Sequence, residues 1–161
     1  MSQLTHLNAA GEAHMVDISE KDVTSRIATA QSVVQLSPKI VAAISSKEIA
    51  KGDLFGAARI AGIQAAKKCS DLIPLCHALP LTKISVEMEL IDDALVIKSL
   101  CKTSARTGVE MEALSAVSIA ALTIYDMCKG LDKGITILET RLLNKTGGKS
   151  GDWSSGKYSI D

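Results

Sequence analysis

Aromatic side chains are almost missing from this 161-residue chain: one Trp, one Phe and two Tyr make up 2% of it, while 47% of the residues are apolar. Its interior must therefore be assembled from Ala, Ile, Leu and Val at close quarters. So large an apolar share in a chain of single-domain size (residues 1–161) also implies burial between subunits. An excess of either charge is missing too. Eighteen basic residues balance eighteen acidic ones, which excludes a field suited to duplex nucleic acid and confines any anion binding to a local cluster. Cys69, Cys76, Cys101 and Cys128 contain no C-x-x-C pair and no zinc-like spacing with His6, His14 or His77. Reduced thiols in a cytoplasmic protein, with no metal site, are the simplest reading. The start of the chain has no basic stretch followed by an apolar run, and no 18-residue apolar segment is free of polar interruption, so neither secretion nor a membrane span is expected.

What is present is organised around one periodic stretch, Thr107 to Gly130. Leu114, Val117, Ala121, Ile124 and Cys128 step by three and four and form a core-facing stripe. Thr107 with Glu110 reads as a capping box, and Gly130 as a left-handed stop. The other side of this helix is Ala and Ser rather than Lys and Glu, so a second helix is expected against it, in a subunit contact. Glu110 and Glu112 sit in the first turn, where the helix dipole favours carboxylates whether or not they have a function. Asp126 sits in the last turn, where the dipole disfavours it, and Lys129 is its nearest compensation; a functional role and a surface pair are equally open there. Glu112 and Asp126 are fourteen residues apart, about 21 Å along one helix. One small ligand cannot touch both, but two antiparallel copies of the helix about a two-fold axis would bring the acidic start of one beside the Asp126/Lys129 end of the other.

Elsewhere, residues 1–13 are polar, small and without periodicity, and His14–Ile18 and Val23–Leu36 read as extended, with Arg26 in the second run. Ser37-Pro38 starts a short helix to about Ser46. Asp53 caps another to about Lys68, whose Ala58, Gly62 and Ala66 make a small-residue strip suited to close packing. Asp71–Pro80 is apolar, bracketed by proline and irregular, so it plugs an interface or lines a pocket. Ile84 to Leu90 and Ala94 to Thr103 form a hairpin, and Ile135 to Leu143 a last strand. The order β-α-β-β-α-β predicts an α+β, ferredoxin-like antiparallel sheet with helices on one face. The tail, 146–161, reads as flexible or loop-like. It is not a Walker loop, because Leu143 stands where the first glycine is needed, although Lys145 and Lys149 among glycines could wrap an anion.

Five blocks occur in a fixed order: Lys51-Gly-Asp53 with Ala58–Lys67, Asp71–His77, Thr107–Leu114, Leu122–Lys129 and Gly147–Asp152. In these blocks, and over nearly the whole length, the chain resembles the cyclic pyranopterin monophosphate synthase family of molybdenum cofactor biosynthesis. Ala78 departs from the family's usual proline after the loop histidine, and Ala105 from a common glycine. The resemblance implies a ferredoxin-like homohexamer, a trimer of dimers with the active site at the dimer interface. There 3′,8-cyclo-7,8-dihydroguanosine 5′-triphosphate becomes cyclic pyranopterin monophosphate and pyrophosphate leaves. It implies substrate binding by Leu75, Cys76, His77, Met111 and Glu112, a catalytic Asp126, and functional lysines at Lys51 and Lys129. Arg26, Lys145 and Lys149 are secondary phosphate candidates, with Glu110 beside them. No cofactor is evident, though a triphosphate often carries its own Mg²⁺. Ring rearrangement needs acid–base groups and displacement at the α-phosphate needs cations, which these residue types supply. A non-catalytic sensor of a pterin or purine nucleotide is the competing class, and it leaves Asp126 unexplained.

Overall fold

The computed structural model describes residues 6–8, 10–46 and 53–156. Within them the chain is mixed α+β, with one open, wholly antiparallel sheet of five strands and four helices. Strand β1 (Thr24–Gln35) is followed by α1 (Pro38–Ser45), α2 (Leu54–Lys67) and the single turn α3 (Cys69–Leu72). The hairpin β2 (Leu81–Ile91) and β3 (Ala94–Ala105) leads into α4 (Glu110–Cys128), and the chain returns as β4 (Thr136–Thr146) and β5 (Trp153–Ser154). The strands lie in the order β2-β3-β1-β4-β5.

Alternation sets the register. Ala28, Ala30 and Val34 of β1 share one buried cluster with Leu95, Ile97 and Cys101 of β3 and Val86 of β2, and the stripe Val117, Ala121, Ile124 and Cys128 of α4 closes it from above. Asp92 turns the hairpin at φ 53°, a left-handed value that Asp tolerates. Asp53 caps α2 by accepting the Gly56 N–H at 2.8 Å. Ser37 stands at the N-cap of α1 with Pro38 in the first turn, but its hydroxyl makes no capping bond. Residues 14–18, read as extended, join no strand, whereas the tail, expected as loop, turns at 147–152 and then pairs Trp153 with Lys145.

Two expectations for the central helix are corrected. It begins at Glu110 with Val109 as N-cap and no side-chain cap, so the capping box does not form. Lys145 of β4 takes the Glu110 carboxylate instead, at 2.7 Å, and a charge-assisted bond outcompetes a backbone donor. At the other end the cap residue, Lys129, is right-handed, and Gly130 adopts no positive φ. The small-residue side of α4 meets α2 of the same chain. A Cβ on Gly62 would lie 2.8 Å from the Ala116 carbonyl oxygen and 3.4 Å from Ala120 Cβ. With 19 residues and a mean hydropathy of 1.3, α4 is apolar enough to cross a bilayer, yet it packs here as a core helix against β1, β3, β4 and α2.

Side chain to backbone bonds lock these layers. Arg59 of α2 donates to the Val86 carbonyl at 3.0 Å, Ser99 of β3 donates to the Ala113 carbonyl at 2.7 Å, and Thr103 donates to the Pro80 carbonyl at 2.8 Å. The last bond fixes the end of the apolar loop against β3. From there the loop faces the start of α4.

Candidate functional site

Two cavities adjoin at the N-terminal end of α4. The smaller, about 390 Å³, is walled by Leu75, Cys76, His77 and Leu79 from the loop after α3, by Met111 and Glu112 from α4, and by Val16, Ile18 and Lys21 from the segment before β1. His6 reaches it as well. The apolar loop is therefore the lining of a pocket. All five substrate-binding positions expected from the sequence, Leu75, Cys76, His77, Met111 and Glu112, meet in this one space.

Its chemistry follows from burial. Glu112 is 3% exposed, and loss of water pushes its carboxyl above the ordinary value of 4.5; the neighbouring Glu110 charge pushes the same way, while a hydrogen bond from its own backbone N–H opposes it. A carboxyl raised in this way keeps its proton to higher pH than an ordinary glutamate does. Burial raises the Cys76 thiol, with the Glu112 charge adding to it, so Cys76 offers a protonated S–H and an apolar surface rather than a nucleophile. His77 Nε2 lies 2.8 Å from the Val16 carbonyl oxygen. A carbonyl only accepts, so Nε2 carries the hydrogen, and the ring pins residues 14–18 across the cavity mouth.

The larger cavity, about 990 Å³, is lined by Lys21, Arg26, Arg106, Lys145 and Lys149, with Glu20, Asp22 and Glu110 among them. Lys21, Thr107, Gly108 and Glu110 border both spaces, so the two lie side by side. Arg26 points in from β1 with Nε donating to the Ala105 carbonyl at 3.0 Å and Nη2 to the Arg106 carbonyl at 3.3 Å. Arg106 in turn donates from Nε to the Lys21 carbonyl at 2.8 Å. The tail glycines make room for this: Gly147 has φ +88°, Gly148 has φ +82°, and a Cβ on either would collide with the Ser25 carbonyl or the Arg26 guanidinium. A cluster of cations beside the positive end of a helix dipole attracts anions, phosphate above all.

Arg26, Lys145, Lys149 and Glu110 thus come together as expected. The segment Val16–Asp22 and Arg106 were not expected. A basic residue in the loop feeding a helix N-terminus is a signal that could have found Arg106. Nothing in the spacing marks the earlier segment, because it is held by contacts to residues far along the chain. Among the described residues, no three His, Cys, Asp or Glu side chains converge in a metal-binding group.

Asp126 and Lys129 are not brought to either cavity. They pair with each other at the far end of α4, Nζ to Oδ1 2.5 Å, with side chains 61% and 49% exposed respectively. The hydrogen bond and charge of Asp126 raise the Lys129 ammonium above its ordinary value. Lys51 lies outside the described residues.

A family model described as "MoaC family" matches the chain over residues 15–148, more than half of its length. The matched span runs from the segment pinned by His77 to the paired glycines of the tail.

Proposed function

Because the chain belongs to the MoaC family, and so is an enzyme of molybdenum cofactor biosynthesis, we propose that it converts 3′,8-cyclo-7,8-dihydroguanosine 5′-triphosphate to cyclic pyranopterin monophosphate with release of pyrophosphate, as a phosphorus–oxygen lyase. One observation carries this reading. A part-apolar cavity with a buried carboxylate lies directly beside a larger one bearing five cations, an arrangement that suits a purine-derived ring followed by a triphosphate.

In this reading Leu75, Cys76, His77, Met111 and Glu112 hold the ring. Lys21, Arg26, Arg106, Lys145 and Lys149 neutralise the phosphates, and any Mg²⁺ arrives with the triphosphate. Attack of a ribose-derived hydroxyl on the α-phosphorus forms the cyclic phosphate and expels pyrophosphate, whose growing charge the cations stabilise. Asp126 and Lys129 form the acid–base pair, assisted by Lys51. The first two come from a neighbouring copy, because about 21 Å of helix separates Asp126 from Glu112 in one chain. That requirement supports a two-fold dimer with shared sites. The ferredoxin-like form, supported by the strand order β2-β3-β1-β4, would assemble as a trimer of dimers in the cytoplasm.

The test is turnover. The purified chain incubated with the cyclised triphosphate should release one pyrophosphate per cyclic product. Asp126→Asn should bind the substrate with unchanged affinity but release none. Binding without turnover in the parent chain would make this a sensor.

A further inference from the structure

One anion already sits among the cations of the larger cavity, and it belongs to the chain itself. Three carboxylates line that cavity, those of Glu20, Asp22 and Glu110, and among the described residues only Glu110 is paired with one of its cations. Its Oε1 accepts from Lys145 Nζ at 2.7 Å. The lysine and glutamate side chains are 33% and 25% exposed, so solvent screens the pair less than it would on the open surface. A missing side chain makes the seat for this carboxylate. A Cβ on Gly108 would collide with Glu110 Oε2, so the carboxylate lies back over the glycine at the start of α4. Gly108 and Glu110 both border the two cavities, which places the carboxylate on the boundary between them. The Lys145 backbone cannot withdraw, because it is held inside β4 opposite Ala28 of β1 and Trp153 of β5. Only its side chain can change partner.

We propose that Glu110 is an intramolecular competitor for phosphate: its carboxylate holds Lys145 in the unliganded protein and contests that lysine with any phosphate group that enters. The proposal rests on the assignment of the phosphates to the larger cavity. Two anions drawn to one ammonium at close range repel each other, so a bound phosphate loses part of the attraction that the five cations supply. The loss falls unequally on substrate and product. The triphosphate is also anchored through its ring in the smaller cavity, whereas pyrophosphate, once cleaved, is held by the cations alone. Glu110 therefore favours departure of the leaving group over loss of the substrate.

The test is calorimetric titration of the full-length protein with inorganic pyrophosphate. Glu110→Gln keeps the shape of the side chain and removes its charge. It is expected to bind pyrophosphate about tenfold more tightly, the scale of one hydrogen bond to a charged group. Glu20→Gln removes a charge from the same cavity wall but not from Lys145, and should tighten binding by no more than about twofold, the effect of a partly screened charge. In a Lys145→Met background, Glu110→Gln should give only that general effect, because the contested group is gone. Unchanged or weaker binding in Glu110→Gln, a Glu20→Gln effect of equal size, or an undiminished effect without Lys145 overturns the competitor role. Pyrophosphate bound by neither the parent nor Glu110→Gln overturns it together with the phosphate assignment. Tightening in a chain that forms no cyclic product would leave Glu110 as assigned and remove the proposed reaction instead.

Discussion

Glu112 carries a stability consequence as well as a chemical one. Its folded carboxyl titrates above its ordinary value of 4.5 because burial disfavours the charge. Between those two values the native state keeps a proton that the unfolded chain has lost, so stability falls as pH rises through that window and stays lowered above it. Glu112→Gln cannot ionise. Its melting temperature relative to the parent should therefore climb from acid to neutral pH in calorimetric scans, and a pH-independent gap would contradict the burial argument. A second prediction concerns the tail turn. Gly147 has φ +88°, and a Cβ there would lie 2.2 Å from the Ser25 carbonyl oxygen. Gly147→Ala should lower stability by about 1–3 kcal/mol in urea unfolding, and weaken substrate binding through displacement of Arg26. At this scale residue type and motif pointed to Glu112, Arg26 and Lys145, which the structure places at the two cavities. They did not identify Arg106, whose Lys21 partner is distant in the chain.

At the scale of elements, the pairing of α2 with α4 rests on missing side chains. Gly62 sits mid-helix, where alanine would add about 1 kcal/mol of helix propensity. The added methyl would lie 2.8 Å from the Ala116 carbonyl oxygen, a backbone atom that cannot step aside. Gly62→Ala should therefore destabilise by about 1–3 kcal/mol of overpacking despite the better propensity, read from the denaturant midpoint at constant m-value. The hairpin, α2 and the core stripe of α4 were legible because alternation and three-four spacing are local signals. The boundaries of α4 were not. Thr107 and Glu110 have the capping-box spacing, but Lys145 reaches Glu110 from β4, and a contact across 35 residues leaves no local trace. The partner of the small-residue face was hidden for the same reason: the pattern calls for a second helix without saying which one.

For the molecule as a whole, the decisive prediction is complementation. Glu112→Gln and Asp126→Asn chains should each be inactive alone, and on subunit exchange the mixture should recover about a quarter of parent activity. Half the dimers would then be mixed, with one of the two sites in each intact. No recovery under demonstrated exchange would mean that the two clusters do not share a site. The sequence by itself determined the α+β class, the core stripe, the family, and five residues that line the smaller cavity, since each is written in composition, periodicity or ordered motif. Tertiary structure alone decided that the cations of β1, the segment before it, the Arg106 loop and the glycine turn border one space beside the cavity lined by Glu112. It also decided that α2 covers the small face of α4. Those facts depend on which distant segments touch, and contact between distant segments is fixed by packing rather than by any local pattern.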